Sequence, residues 1–102
     1  MNMNNSTNNT KQIIHNLQMI VEQRSASAMA ELAEKRHPAD IAAVFNVFNQ
    51  AQQVLLLQLA SPKVCANLFR YLTDELQATL VQQLDKTTLS ALLVHMAADE
   101  RA

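Results

Sequence analysis

From His37 onward, polar or helix-starting residues recur every twelve positions: His37, Asn49, Ser61, Thr73 and Asp85, with Ala97 on the next beat. The seventh residue after each of the first five is Val44, Leu56, Leu68, Leu80 and Leu92. The eighth is Phe45, Leu57, Phe69, Val81 and Leu93, and the eleventh is Phe48, Ala60, Leu72, Leu84 and Met96. All are apolar in a chain that is 49% apolar. Chance gives that on the order of 1 in 40,000 in a fixed frame, so the beat belongs to the chain and marks a repeat architecture. Offsets of seven, eight and eleven share one face at 3.6 residues per turn. Ile41, Cys65 and Leu89 at offset four, and Val64 and Leu76 at offset three, widen the same stripe. Each unit therefore predicts an amphipathic helix of roughly three turns, about 15 Å long. Such a helix is marginal alone in water and must bury its stripe against neighbours.

The unit starts have capping chemistry. Pro38 and Pro62 follow His37 and Ser61; at the first helical position the missing N–H costs nothing. Asn49, Ser61, Thr73 and Asp85 are good N-caps. Asp40, Asp74 and Glu75 fall in first turns, where the helix dipole favours a negative charge. Offset eleven of one unit directly precedes the next cap, so the links are short and neighbouring helices run roughly antiparallel. The fold class expected is all-α, a right- or left-handed superhelix (an α-solenoid) of short antiparallel helices with a period of about twelve residues.

Ahead of the beat, residues 1–9 are rich in Asn, Ser and Thr without apolar periodicity, and read as a disordered tail. Ile13, Ile14, Leu17, Ile20 and Val21 form a stripe that predicts a helix from Thr10 to Gln23. A second helix opens at Ser25 or Ser27 and runs to Arg36, with Met29, Ala30, Leu32 and Ala33 as its thin buried side. Pro38 ends it, because the residue before proline is pushed out of the α region. Five units occupy 37–96, and a sixth is expected to open at Ala97 and stop in mid-turn at Ala102. Residues 10–102 thus read as one helical domain with a truncated last helix, a piece of a longer protein.

Composition removes several function classes. Net charge is −1 over 102 residues with scattered basic residues, which offers no electrostatic case for nucleic acid or an anionic membrane surface. The longest apolar stretch, Val54-Leu55-Leu56-Leu57, is too short for direct membrane insertion. Glycine is absent, which excludes phosphate loops, dinucleotide fingerprints and nucleophile elbows. No enzyme is expected. The lone Cys65 sits in the apolar stripe and reads as core, in a reduced setting. His15, His37 and His95 share no ligand spacing, and Lys35-Arg36 reads as a solvated helix end.

The stretch His37-Pro38-Ala39-Asp40-Ile41-Ala42, followed by short helices near every twelfth residue, resembles the cytoplasmic N-terminal domain of MgtE-type magnesium transporters over residues 37–102. The resemblance implies a regulatory, Mg²⁺-sensing arm at the cytoplasmic face of the inner membrane, not itself a transport unit. Its partners would be the CBS domains and the membrane domain of the same transporter, and the isolated piece would be a monomer. Such a family holds regulatory Mg²⁺ between acidic faces of its N and CBS domains. Asp99 and Glu100 match the acidic pair that the family places at the start of the corresponding helix, and are the metal candidates the resemblance implies. Where the family usually carries a glutamate ligand this chain has Asn67, which offers a carbonyl oxygen and no charge. Amides at Gln50, Gln52, Gln53, Gln77, Gln82 and Gln83 likewise stand in place of charge. This acid-poor outer face implies fewer or weaker sites. A stand-alone α-solenoid interaction module, similar in architecture to the middle domain of the flagellar motor switch protein, is the alternative reading.

Overall fold

A computed structural model describes the backbone of residues 2–101 and the side chains of residues 9–98. Among these residues there are seven α-helices, one 3-10 turn and no strand: α1 Asn2–Gln23, α2 Ala26–Lys35, α3 Pro38–Ala42, the 3-10 turn Phe45–Val47, α4 Gln50–Leu59, α5 Pro62–Arg70, α6 Asp74–Val81 and α7 Lys86–Arg101. Apart from Asn9, the tail expected over residues 1–9 lies outside the described side chains.

The caps stand where the twelve-residue beat puts them. His37 Nδ1 accepts from the Ala39 N–H at 3.0 Å. Asn49 accepts from the Gln52 N–H while the Gln52 side chain accepts from the Asn49 N–H, each at 2.9 Å, a reciprocal capping box. Ser61 and Thr73 accept from Val64 and Leu76 at 3.3 and 3.2 Å. Ser25 caps α2 through the Ala28 N–H at 3.0 Å. With no glycine to close the turn after α1, Arg24 takes a left-handed conformation at φ 50, a region that costs a residue with a Cβ about 1–2 kcal/mol.

The helices contact one another in alternation. α3 packs on α5 and α5 on α7, while α2 packs on α4 and α4 on α6. α1 covers α2 and α4. Two rows result. α4 also touches α5, so the two rows meet there, and each contact within a row joins elements two apart. Elements two apart along the chain thus meet, as α3 from Pro38 and α5 from Pro62 do; a superhelix with a twelve-residue period is not shown. In the sequence Pro38 and Pro62, Phe45 and Phe69, Gln53 and Gln77 are each twenty-four apart.

Gln53 and Gln77 show why. Gln53 Nε2 donates to the carbonyls of Phe45 at 2.7 Å and Phe48 at 3.0 Å. Gln77 Nε2 donates to Phe69 and Leu72 at 2.7 and 3.3 Å. In each case an amide at offset four of the second helix takes a carbonyl left loose at the end of the first, that of Phe48 or Leu72. It adds a second bond to the carbonyl of Phe45 or Phe69, which already accepts from the Phe48 or Leu72 N–H. Gln53 is buried and Gln77 half-buried. No buried side-chain polar atom lacks a partner among the described residues.

The core follows the offset-seven residues most closely: Val44, Leu56, Leu68, Leu80 and Leu92 are all buried. Ile13, Leu17, Ile20, Met29 and Leu32 join them from α1 and α2. At offset eight burial decays along the chain. Phe45, Leu57 and Phe69 are buried, Val81 is partly so, and Leu93 is 55% exposed. The expectation that Leu93 faces the core is thus corrected. α7 meets the domain chiefly through α5, and among the described residues no further helix lies over its other side. The radius of gyration, 13.5 Å, is close to the about 13 Å expected of a compact domain of 100 residues.

Two units depart from the three-turn helix. The first breaks into α3 and the 3-10 turn, with Val44 between them at φ −102, ψ 5. Val44, Asn46 and Val47 are indifferent helix formers, and the Gln53 amide takes the Phe48 carbonyl at the end of the turn. The second departure is at Ala97. No helix opens there; α7 runs on through Arg101. Alanine is the best helix former and a poor N-cap, so nothing at Ala97-Ala98 stops the helix.

Candidate functional site

Four of the acids sit at the starts of helices. Asp40 lies in the first turn of α3, Asp74 and Glu75 in the first turn of α6, and Asp85 just ahead of α7; all four are exposed. These positions favour the helix dipoles. Among the described residues no group of three or more His, Cys, Asp or Glu side chains comes together.

Asp99 and Glu100 belong to the last turns of α7 rather than to the first turn of a new helix. Their side chains lie outside the described residues. The backbone placement itself is a correction, since no new helix opens at Ala97.

Asn67 is engaged. Its Oδ1 accepts from Arg70 Nη1 at 3.1 Å, one turn along α5. The oxygen that sequence reasoning left available for a metal is already oriented by a guanidinium. His37, at the head of α3, uses Nδ1 as a cap and sets its ring edge-on to Tyr71, centroids 5.5 Å apart. This pins the start of α3 to the end of α5. His37 is thereby a structural cap rather than a ligand. Cys65 is buried, and desolvation pushes its thiol up from the ordinary 9.0 to about 11. A neutral, enclosed thiol is neither nucleophile nor ligand at neutral pH.

Sequence reasoning did not foresee the role of Arg36. Its Nη1 donates to Asn9 Oδ1 at 3.2 Å and its Nη2 to Gln12 Oε1 at 2.9 Å. The guanidinium ties the end of α2 across to α1. The signal was slight: two amides three residues apart on one face of a helix, with no acid to mark a pairing.

The matched family comes from this same stretch of capped helices. Residues 36–102 match the model of the MgtE intracellular N domain. The chain belongs to that family. No curated protein and no solved structure gives a match. The MgtE N-domain match opens at Arg36, immediately ahead of the His37-capped α3, and takes in both rows from α3 to α7. It leaves α1 and α2 outside. The family is that of a domain of magnesium transporters and not of an enzyme. No helix among the described residues is long and apolar enough to cross a membrane.

Proposed function

We propose that this chain is a cytoplasmic regulatory arm of a magnesium transporter, one that senses Mg²⁺ and gates a pore it does not itself contain. The family match over residues 36–102 carries the reading. Mg²⁺ is a hard ion that keeps several waters, so one or two carboxylates from each of two facing surfaces are enough to hold it. Acids in ones and twos, with no group of three or more His, Cys, Asp or Glu brought together among the described residues, suit half-sites of that kind, to be completed by the acids of another domain such as paired CBS domains. In this reading Asp99 and Glu100 are the regulatory ligands of this chain, and Asn67, held by Arg70, is not one. The isolated arm is monomeric and binds Mg²⁺ weakly, because half of each site is missing. Its paired rows form the opening of a superhelical stack whose unit is the helix pair.

The energetics ask for several ions acting together. An ion that binds only the closed arrangement stabilises it by about 1.4 kcal/mol at ten times its Kd. Moving from mostly open to mostly closed takes roughly 5.5 kcal/mol. One weak half-site cannot supply that, so the response is shared among ions and is correspondingly steep. The rival reading, a stand-alone helical adaptor, draws on the exposed Leu93 and Val94 of α7, an apolar pair available to a protein partner. Reading the gene past Ala102 separates the two. The transporter reading expects a CBS pair and then about five long apolar segments; a stop codon directly after Ala102 would contradict it.

A further inference from the structure

The groove between α1 and the end of α2 gathers positive charge that neither the family match nor the magnesium reading uses. It encloses about 730 Å³ and is lined by Lys11, Gln12, His15, Asn16, Leu32, Lys35 and Arg36. No carboxylate is among them. Lys11 and Lys35 are exposed and make no hydrogen bond or ion pair among the described residues. Arg36 is fixed in place by Asn9 and Gln12 at 3.2 and 2.9 Å, and amide oxygens orient a guanidinium without cancelling its charge. Asp40 lines the adjoining cleft, which it shares with Arg36. Lys35 and Arg36 partly serve the negative end of the α2 dipole, but Lys11, in the middle of α1 (Asn2–Gln23), does not.

We propose that this groove docks an acidic polypeptide segment. Lys11 and His15 stand one turn apart on α1, about 6 Å along its axis. Carboxylates with that repeat are found at i and i+4 of a helix, or at alternate positions of an extended strand. Lys35 and Arg36 receive a further carboxylate from across the groove, Arg36 as a preset fork. The other polyanions fit less well. A nucleic acid wants an aromatic stacking platform, and none of the lining residues is aromatic. An anionic bilayer wants a broad face with an apolar anchor, whereas these charges converge on a concavity. The groove lies wholly outside the matched segment except for Arg36, so the inference does not depend on the magnesium reading and can fail without it.

The test is a titration of the isotope-labelled chain with a capped hexaglutamate peptide, followed by amide chemical shifts at about 20 mM salt, where surface charges are weakly screened. Shifts should concentrate at Lys11, Gln12, His15, Lys35 and Arg36. Reversing both exposed lysines, Lys11→Glu with Lys35→Glu, should weaken binding by about tenfold or more, with the circular dichroism spectrum unchanged. Reversing Lys63 and Lys86 together should leave it intact. Equal shifts around Lys63 and Lys86, binding that survives the Lys11/Lys35 reversal, or vesicles of phosphatidylserine that bind at this groove where hexaglutamate does not, would each overturn the proposal.

Discussion

Gln53 is the residue on which the pairing of helices turns most sharply. Its amide is buried and makes two bonds to backbone carbonyls. Replacing it by methionine keeps the volume and removes the donor. The Phe48 carbonyl then loses its partner, at about 1–3 kcal/mol for a group left unsatisfied, while the Phe45 carbonyl keeps the Phe48 N–H. We expect Gln53→Met to lower the urea midpoint clearly, and Gln77→Met to do so by less, because Gln77 is only half-buried and water can replace its donor. Equal effects would mean that the two clasps are not distinguished by burial. Cys65 gives a second expectation at this scale. The folded thiol ionises near pH 11 against 9.0 when free. Between those values the unfolded chain has released a proton that the folded chain still holds. The stability contributed by the neutral thiol is therefore whole below pH 9.0 and is lost as pH rises toward 11. Urea titrations across that range should show the decline, and Cys65→Ala should remove that part of it. Iodoacetamide at neutral pH should label the native chain far more slowly than the urea-unfolded one.

At the scale of elements, the beat located the caps and the direction of the stripe but not the length of every helix. Helix starts were legible because Asn49, Ser61 and Thr73 offer side-chain oxygens immediately before apolar periods, with Pro38 and Pro62 fixing two first turns. The break after Ala42 and the continuity through Ala97 were not legible from periodicity, since both rest on local propensity, the first also on a glutamine with a partner eight residues away. Gln53 and Gln77 interrupt the apolar stripe at offset four, and that polar intrusion at a core position was the signal that could have revealed the pairing of helices. The decay of burial at offset eight gives a direct contrast. Leu68→Asp places an unpaired charge in the core and should cost several kcal/mol or prevent folding. Leu93→Asp, on the open side of α7, should change stability by no more than about 0.5 kcal/mol. Thermal melts followed by circular dichroism distinguish these outcomes, and a comparable loss in both variants would place Leu93 in the interior. The turn after α1 provides an independent probe. Arg24→Gly relieves the cost of φ 50 and should raise stability by roughly 0.5–1 kcal/mol, the gain tempered by a more flexible unfolded chain.

For the molecule as a whole, the family was legible in six residues and a rhythm, while the binding surfaces were not. His37 to Ala42 builds a capped helix head pinned to Tyr71, and the match over residues 36–102 confirms the family that the motif suggested. The acid pair Asp99-Glu100 was selected by resemblance, and its setting at the end of α7 rather than the start of a new helix could not be read from spacing. The basic groove escaped notice because its members are scattered in sequence at Lys11, His15, Lys35 and Arg36 and meet only when α1 folds back on α2. The proposed regulatory role stands on whether this surface takes up Mg²⁺ at the end of α7. Amide chemical shifts of the chain titrated with millimolar MgCl₂, beside an Asp99→Asn, Glu100→Gln variant, measure that most directly. The account predicts weak, saturable shifts centred on residues 98–101 that vanish in the variant; shifts that are absent, spread evenly over the acids, or unchanged by the double substitution would contradict it.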